Sequence, residues 1–222
     1  MSFDCLAPHY RWMEWVLAGN KLHQCRTAFL AQQEEATNVL ILGEGNGRFL
    51  VECRRFLRSA KIVCLDASER MLQLARKRLV RNGLETANVE FITADALTWA
   101  PPKLHFDLVV THFFLDCFRS EQLDQLLPRL AAAATPAASW LLADFQIPES
   151  GLARWRAATI HRLMYWFFGL ATQLPARRLT PADPWLVAHG FRLRERRIAD
   201  WGLLRSDLWQ RVRNAECGVR GV

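Results

Sequence analysis

The chain has 222 residues, 51% of them apolar and 23% charged, enough to bury one core without disulfide or metal staples. Nine Trp and thirteen Phe exclude a disordered or collagen-like chain, and no apolar run is long enough to span a bilayer. The net charge of +7 is carried mainly by arginine, because only residues 21, 61, 77 and 103 are lysines. Basic runs at Arg54–Arg58, Arg76–Arg81 and Arg192–Arg197 read as solvated helix faces more readily than as a polyanion surface. The opening MSFDCLAPHY lacks the basic start and apolar run of a signal peptide, and the six cysteines form no CxxC pair. Buried free thiols in a reducing compartment, hence a cytoplasmic protein with no metal site, are expected.

From Pro8 to about Gln33 apolar residues recur at helical spacing, interrupted at Gly19-Asn20. Asn38–Leu42 is a short β-rich run, followed by Gly43-Glu44-Gly45-Asn46-Gly47 and then by a helical pattern from Phe49 to Leu57. Lys61–Leu65 is a second buried strand ending at Asp66, and Ser68 is suited to cap the helix that runs to Asn82-Gly83. Val89–Thr93 and Phe106–Val110 are the third and fourth strands, the third ending at Ala94-Asp95 and the fourth running into Thr111-His112. A helix capped by Ser120 extends to about Ala133, and Ser139–Ala143 is the fifth strand. Gly151–Thr172 is an extra amphipathic helix and Thr180–His189 a crossover helix. Phe191–Ile198 is a sixth strand, and Leu203–Val212 a seventh at the sheet edge. Strands alternating with helices imply an α/β fold, a doubly wound Rossmann-like sheet, mostly parallel. The expected layout is a single domain over 1–222: a helical segment at 1–35, a cofactor-binding core at 36–146, a helical lid insertion at 147–180 and the rest of the sheet at 181–222.

A glycine-rich turn between the first strand and helix lets a cofactor approach the backbone and the helix N-terminus. Two nucleotide-binding patterns compete for it. The dinucleotide fingerprint needs GxGxxG, whereas Gly43, Gly45 and Gly47 give GxGxG. Together, VLILGEGNGRFL, IVCLDASERML, VEFITADAL and FDLVVTHFFLDCF resemble the class I S-adenosylmethionine (SAM)-dependent methyltransferases. The resemblance is strongest over about 36–146. It is nearest to the small-molecule branch that includes the ubiquinone/menaquinone C-methyltransferases, whose N-terminus also bears a tyrosine helix like APHYRWMEWVL.

The resemblance implies SAM as cofactor and S-adenosylhomocysteine as product. It implies that Gly43, Gly45 and Gly47 pass the backbone beside the methionine and ribose portions. Asp66 would hold the ribose diol and Ala67 would lie beside the adenine. Asp95 would accept from the adenine amino group, with the backbone of Ala94 or Ala96 against the ring. Thr111 would offer its carbonyl to the methionine ammonium, and Tyr10 either closes over the methionine end or packs in the core. Where the family usually has an acidic residue, two positions before the first glycine, this chain has Ile41; Glu44 is the nearby carboxylate that would substitute. His112 and Asp116, following strand four at the carboxyl edge where open α/β sheets bind ligands, are the candidate catalytic bases.

An Asn/Asp-Pro-Pro-aromatic run, a Pro-Cys nucleophile and a suitably placed lysine tetrad are all missing, which disfavours a nucleic-acid acceptor. The apolar 151–174 segment, with Arg154, Arg156 and Arg162, suits a lid over a small, hydrophobic or aromatic acceptor. It also leaves open peripheral membrane contact, a homodimer, or plain burial. The alternatives to a small-molecule methyltransferase are an RNA or protein methyltransferase and a SAM-binding protein without methyl transfer.

Overall fold

The computed structural model describes residues 20–172 and 179–212, with the backbone alone for 163–172. The strands are β1 (Asn38–Leu42), β2 (Lys61–Asp66), β3 (Val89–Thr93), β4 (Phe106–His112), β5 (Ala134–Phe145), β6 (Phe191–Ala199) and β7 (Leu204–Arg211). The helices are α1 (Lys21–Thr27), α2 (Arg48–Phe56), α3 (Glu69–Arg81), α4 (Ser120–Ala133), α5 (Gly151–Thr172) and α6 (Asp183–Ala188). The seven strands form one sheet in the order β3-β2-β1-β4-β5-β7-β6. β1 pairs in parallel with β2 and with β4, β2 with β3, and β4 with β5. β7 runs antiparallel to both of its neighbours.

The central strands are apolar on both faces, as buried parallel strands must be. Val39 to Leu42 and Leu108 to Val110 are essentially inaccessible. On one face Leu40, Leu42, Val109, Trp140 and Leu142 pack with Leu123, Leu127 and Leu130 of α4. On the other, Val39, Ile41, Ile62 and Val110 meet Phe49 and Leu50 of α2 and Leu72 and Leu79 of α3. Ile41, which stands in place of the family's acidic residue, is therefore a core residue beneath α2 and α3, 1% exposed.

Four expectations need correcting. The seventh strand is not at the edge: it lies between β5 and β6, and the edge strand is β6. Periodicity identifies a strand but carries no information about its neighbour. Ser120 does not cap α4; Arg119 is the cap residue, and the Gln122 side chain accepts its backbone N–H at 3.0 Å. The crossover helix is only Asp183–Ala188, and β4 extends through His112. Ser68 does cap α3, accepting from the Met71 N–H at 3.2 Å. The Gly19 break and the helix before it lie outside the described residues.

Some members of the basic runs are engaged locally, while Arg58, Lys77, Arg81 and Arg192 are exposed as expected of solvated faces. Arg54 is buried and donates to the carbonyls of Glu85, Leu57 and Ala60. Arg76 lies over Phe91, and Arg78 holds the Asn46 carbonyl at 2.8 Å. On β6, Arg196 bridges Asp207 and Asp183, while Arg197 covers Phe29. Edge strands are commonly protected by such charges. Cys25, Cys53 and Cys64 are buried free thiols and Cys117 is half-buried; Cys5 and Cys217 lie outside the described residues.

Candidate cofactor and acceptor site

The carboxyl ends of β1 to β5 gather most of the expected site residues on one rim. The turn after β1 is held from two sides: the Gly43 N–H donates to the Leu65 carbonyl at 2.9 Å, and the Gly45 N–H to Asp66 Oδ2 at 3.1 Å. Asp66 Oδ1 accepts from the Ser68 N–H at 2.9 Å, so one carboxylate ties the glycine turn to the start of α3. Gly47 caps α2 at φ +82°, and a Cβ there would meet the Ala75 backbone at 2.6 Å. That glycine lets α2 and α3 touch. At Gly45 (φ +63°) a Cβ would meet nothing within 4 Å, so this part of the turn faces open space. Phe114 lies directly on Gly43.

Glu44 does not reach out of the turn. Its Oε1 accepts the Leu50 N–H at 2.9 Å, at the N-terminus of α2. Burial raises its carboxyl to about 7, against the lowering effect of that bond and of Arg26. At β3, exposed Asp95 accepts the Leu97 N–H at 2.9 Å, buried Ala96 follows it, and the Ala94 N–H donates to the Asp66 carbonyl at 3.2 Å. Ala67 is exposed beside Asp66. The side chain of Thr111 faces the core and accepts from Trp140 Nε1 at 2.8 Å. Tyr10 lies outside the described residues.

The two candidate bases differ in environment. His112 is 7% exposed, meets Phe49 edge-on at 4.6 Å, and has an Nδ1 without a hydrogen-bond partner among the described residues. Burial, aided by Arg26, lowers its basicity well below the ordinary histidine range, so it is neutral at pH 7. Asp116 lies on a 3-10 turn (Leu115–Cys117), where the Cys117 thiol donates to its Oδ1 at 3.6 Å. Burial raises its carboxyl to about 6.

Two further residues belong to this rim and were not singled out from sequence. Asp144, at the end of β5, is 2% exposed and stands opposite Arg205 of β7. The Phe113 N–H donates to the Ala143 carbonyl at 2.7 Å, which brings the Asp116 turn against that strand end. Burial and then Asp116 push the Asp144 carboxyl well above the usual range, opposed by Arg205. The available signal was positional, since Asp144 stands one residue before the end of β5, much as Asp66 ends β2. Arg26, 8% exposed in α1, lies 5.1 Å over Phe113. No sequence motif marks it.

A buried carboxyl with a raised pKa favours folding in its protonated form. That stability is complete below the unfolded pKa, about 3.9, and is lost as the pH rises through the folded value. Asp144→Asn removes the loss while keeping an acceptor for the Phe145 N–H, which now bonds Oδ1 at 2.8 Å. Chemical denaturation is expected to show the variant more stable than wild type at pH 8, by about 1–3 kcal/mol, with the difference shrinking towards pH 4. A variant less stable at pH 8 would show that the attraction of the Arg205 charge outweighs burial.

The strand order, with its antiparallel β7, accompanies a match of residues 39–137 to a family model described as a methyltransferase domain. Residues 39–137 thus match the methyltransferase-domain family, in keeping with the resemblance to the class I SAM-dependent methyltransferases. The ubiquinone/menaquinone biosynthesis C-methyltransferase of Pseudomonas entomophila is 28% identical to it over 153 residues, 68% of this chain and 59% of that protein. The trans-aconitate 2-methyltransferase of Variovorax paradoxus is 35% identical over 130 residues, 59% of this chain and 44% of that protein. The chain thus spans 59% of the length of the first of these relatives and less of the second. Among solved structures, mitomycin 7-O-methyltransferase superposes with a TM-score of 0.70 at 18% identity, covering 96% of this chain and 61% of that one. A methyltransferase-like protein of Haloferax volcanii, solved with the Trm112 activator, gives 0.66 at 14% identity, covering 95% and 96%. These structures share the fold. The cofactor of such a methyltransferase domain is SAM, and the rim described above has the open backbone and strand-end carboxylates suited to it.

Proposed function

We propose that the chain transfers the methyl group of SAM to a small hydrophobic or aromatic acceptor by in-line displacement. The observation that carries this reading is the division of the carboxyl rim into two parts. On the β1–β3 side are an open glycine turn and the carboxylates of Asp66 and Asp95. On the β4–β5 side are the half-buried carboxyl of Asp116 and the buried one of Asp144, beside Phe113, Phe145 and the inner face of α5.

The residues fit SAM on structural grounds. Gly45 faces open space, so a ligand can lie against its backbone. Each Asp66 oxygen accepts a backbone N–H, which sets the carboxylate at the end of β2, where a ribose diol would reach it. Asp95 would receive the adenine amino group, with Ala67, Ala94 and Ala96 around the ring. Gly43, Gly47 and the Thr111 carbonyl would border the methionine end. The Arg26 guanidinium suits the methionine carboxylate, and Glu44 supports the turn through α2.

When bound, SAM supplies a methyl carbon already activated by its sulfonium. The protein's task is then to position the acceptor, which contributes roughly 7–11 kcal/mol for well-oriented reactants, and to take its proton. Asp116, raised to about 6, is largely ionised at neutral pH and remains basic enough to accept that proton. His112, its basicity lowered, acts as a neutral neighbour.

The test is transfer of methyl label from SAM to three pools: lipophilic phenols and quinols, total RNA, and a protein extract. Label is expected in the organic-soluble pool. Label confined to RNA or protein, or SAM binding without transfer to any pool, overturns the proposal.

A further inference from the structure

Over residues 151–162, helix α5 buries one face and leaves the other open. Ala157 and His161 are buried, and Ile160 packs with Ala143, Leu203 and Leu204. The His161 ring meets Phe145 edge-on at 5.6 Å. At roughly 100° per residue, Leu152, Trp155, Thr159 and Arg162 fall on the opposite face. There Leu152 is 86% exposed and Trp155 77%.

Arginines border this apolar stripe. Arg154 is exposed on one margin and donates to the Glu149 carbonyl at 2.8 Å, while Arg156, on the other, pairs with Asp200 at 2.9 Å. A cavity of ≈ 300 Å³ opens among Arg154, Trp155, Ala158, Thr159 and Arg162. Trp201, 76% exposed, sits on the turn that Arg156 holds through Asp200. From Gly151 to Thr172 the sequence contains no Asp or Glu.

We propose that this outer face of α5 docks the protein on an anionic lipid bilayer. Tryptophan and leucine between arginines match the interface, where the apolar groups enter the acyl boundary and the guanidinium groups stay with the headgroups. Charge selects the surface. Arg156 already pairs with Asp200, and Arg154 and Arg162, on a helix without an acidic residue in a chain of net charge +7, favour a negative partner. They disfavour a second copy of the same face, which would bring its own arginines into the contact, like charge against like. The helix lies on the bilayer and does not cross it, since no helix among the described residues is long and apolar enough to span. Docking rests on this surface alone, and it holds whether or not the methyl-transfer reading does.

The test uses the full chain, without cofactor or acceptor, sedimented with phosphatidylcholine vesicles or with vesicles in which roughly a third of the lipid is phosphatidylglycerol. Binding is expected to the anionic vesicles, to weaken with salt, and to be much weaker on phosphatidylcholine alone. The doubly substituted Arg154→Glu/Arg162→Glu is expected to lower the partition coefficient about tenfold or more, and Leu152→Ser/Trp155→Ala by about tenfold. All four side chains are exposed, so thermal melts of both variants should match wild type. Failure of the wild type to bind anionic vesicles overturns the proposal, as does undiminished binding by well-folded variants. Equally decisive against it would be a dimer that Leu152→Ser/Trp155→Ala dissolves in a protein indifferent to vesicles.

Discussion

Asp66→Ala is expected to weaken binding of SAM and S-adenosylhomocysteine tenfold to a hundredfold, measured by calorimetry. A hydrogen bond to a charged group contributes roughly 1.5–3 kcal/mol, and Asp66 has two claims on that range. In the proposed site its carboxylate would hold the ribose diol, and it also fixes the turn through the Gly45 N–H and the start of α3 through the Ser68 N–H. Asp66→Asn separates these roles, because an amide oxygen can keep one backbone bond while the charge is lost. Intermediate affinity is expected for it. NAD should not bind either wild type or variant, since the turn lacks the third glycine of the dinucleotide pattern. Unchanged SAM affinity in a folded Asp66→Ala protein would remove the residue from the cofactor site.

The second large effect is on turnover. With an acceptor identified by label transfer, Asp116→Asn should lower kcat by a factor of about 10²–10⁴, the usual range for a positioned base, and leave SAM affinity nearly unchanged. Wild-type activity should fall as the pH drops through about 6, where the Asp116 carboxylate is protonated, and this acid limb should vanish from the variant's residual rate. His112→Ala should change turnover much less, because the imidazole is already neutral and packed on Phe49. If Asp116→Asn turns over normally, positioning alone accounts for the reaction.

What was legible in the sequence was local. β1, its glycine turn, α2 and β2 occupy one short stretch, and each is written in residues that interact within it. The cap at Ser68 and the strand-end aspartates Asp66 and Asp95 follow the same rule. Pairing between distant segments was not legible. Nothing in LRSDLWQR says that it will run antiparallel between β5 and β6, because apolar alternation is the same at an edge and in the middle. Asp144 was hidden for a related reason: only the fold brings the Asp116 turn to the end of β5 and Arg205 across from it. The arginine runs were read as solvated faces. Several of their members instead bond carbonyls or lie over rings, contacts that charge patterning cannot distinguish from solvent.

The placement of β7 also governs how the chain can acquire its structure. During synthesis, β1 to β5 emerge first, and their parallel pairings can form while α5 and β6 are still being made. One flank of β5 then has no neighbour until Leu204–Arg211 arrives, and β6 can join the sheet only through that strand. The last pairing bridges segments far apart in sequence, which makes it slow relative to local steps. Until it closes, the nascent protein displays an open hydrogen-bonding rim backed by Trp140, Leu141 and Leu142, the kind of surface on which chaperones act and strands from other molecules add.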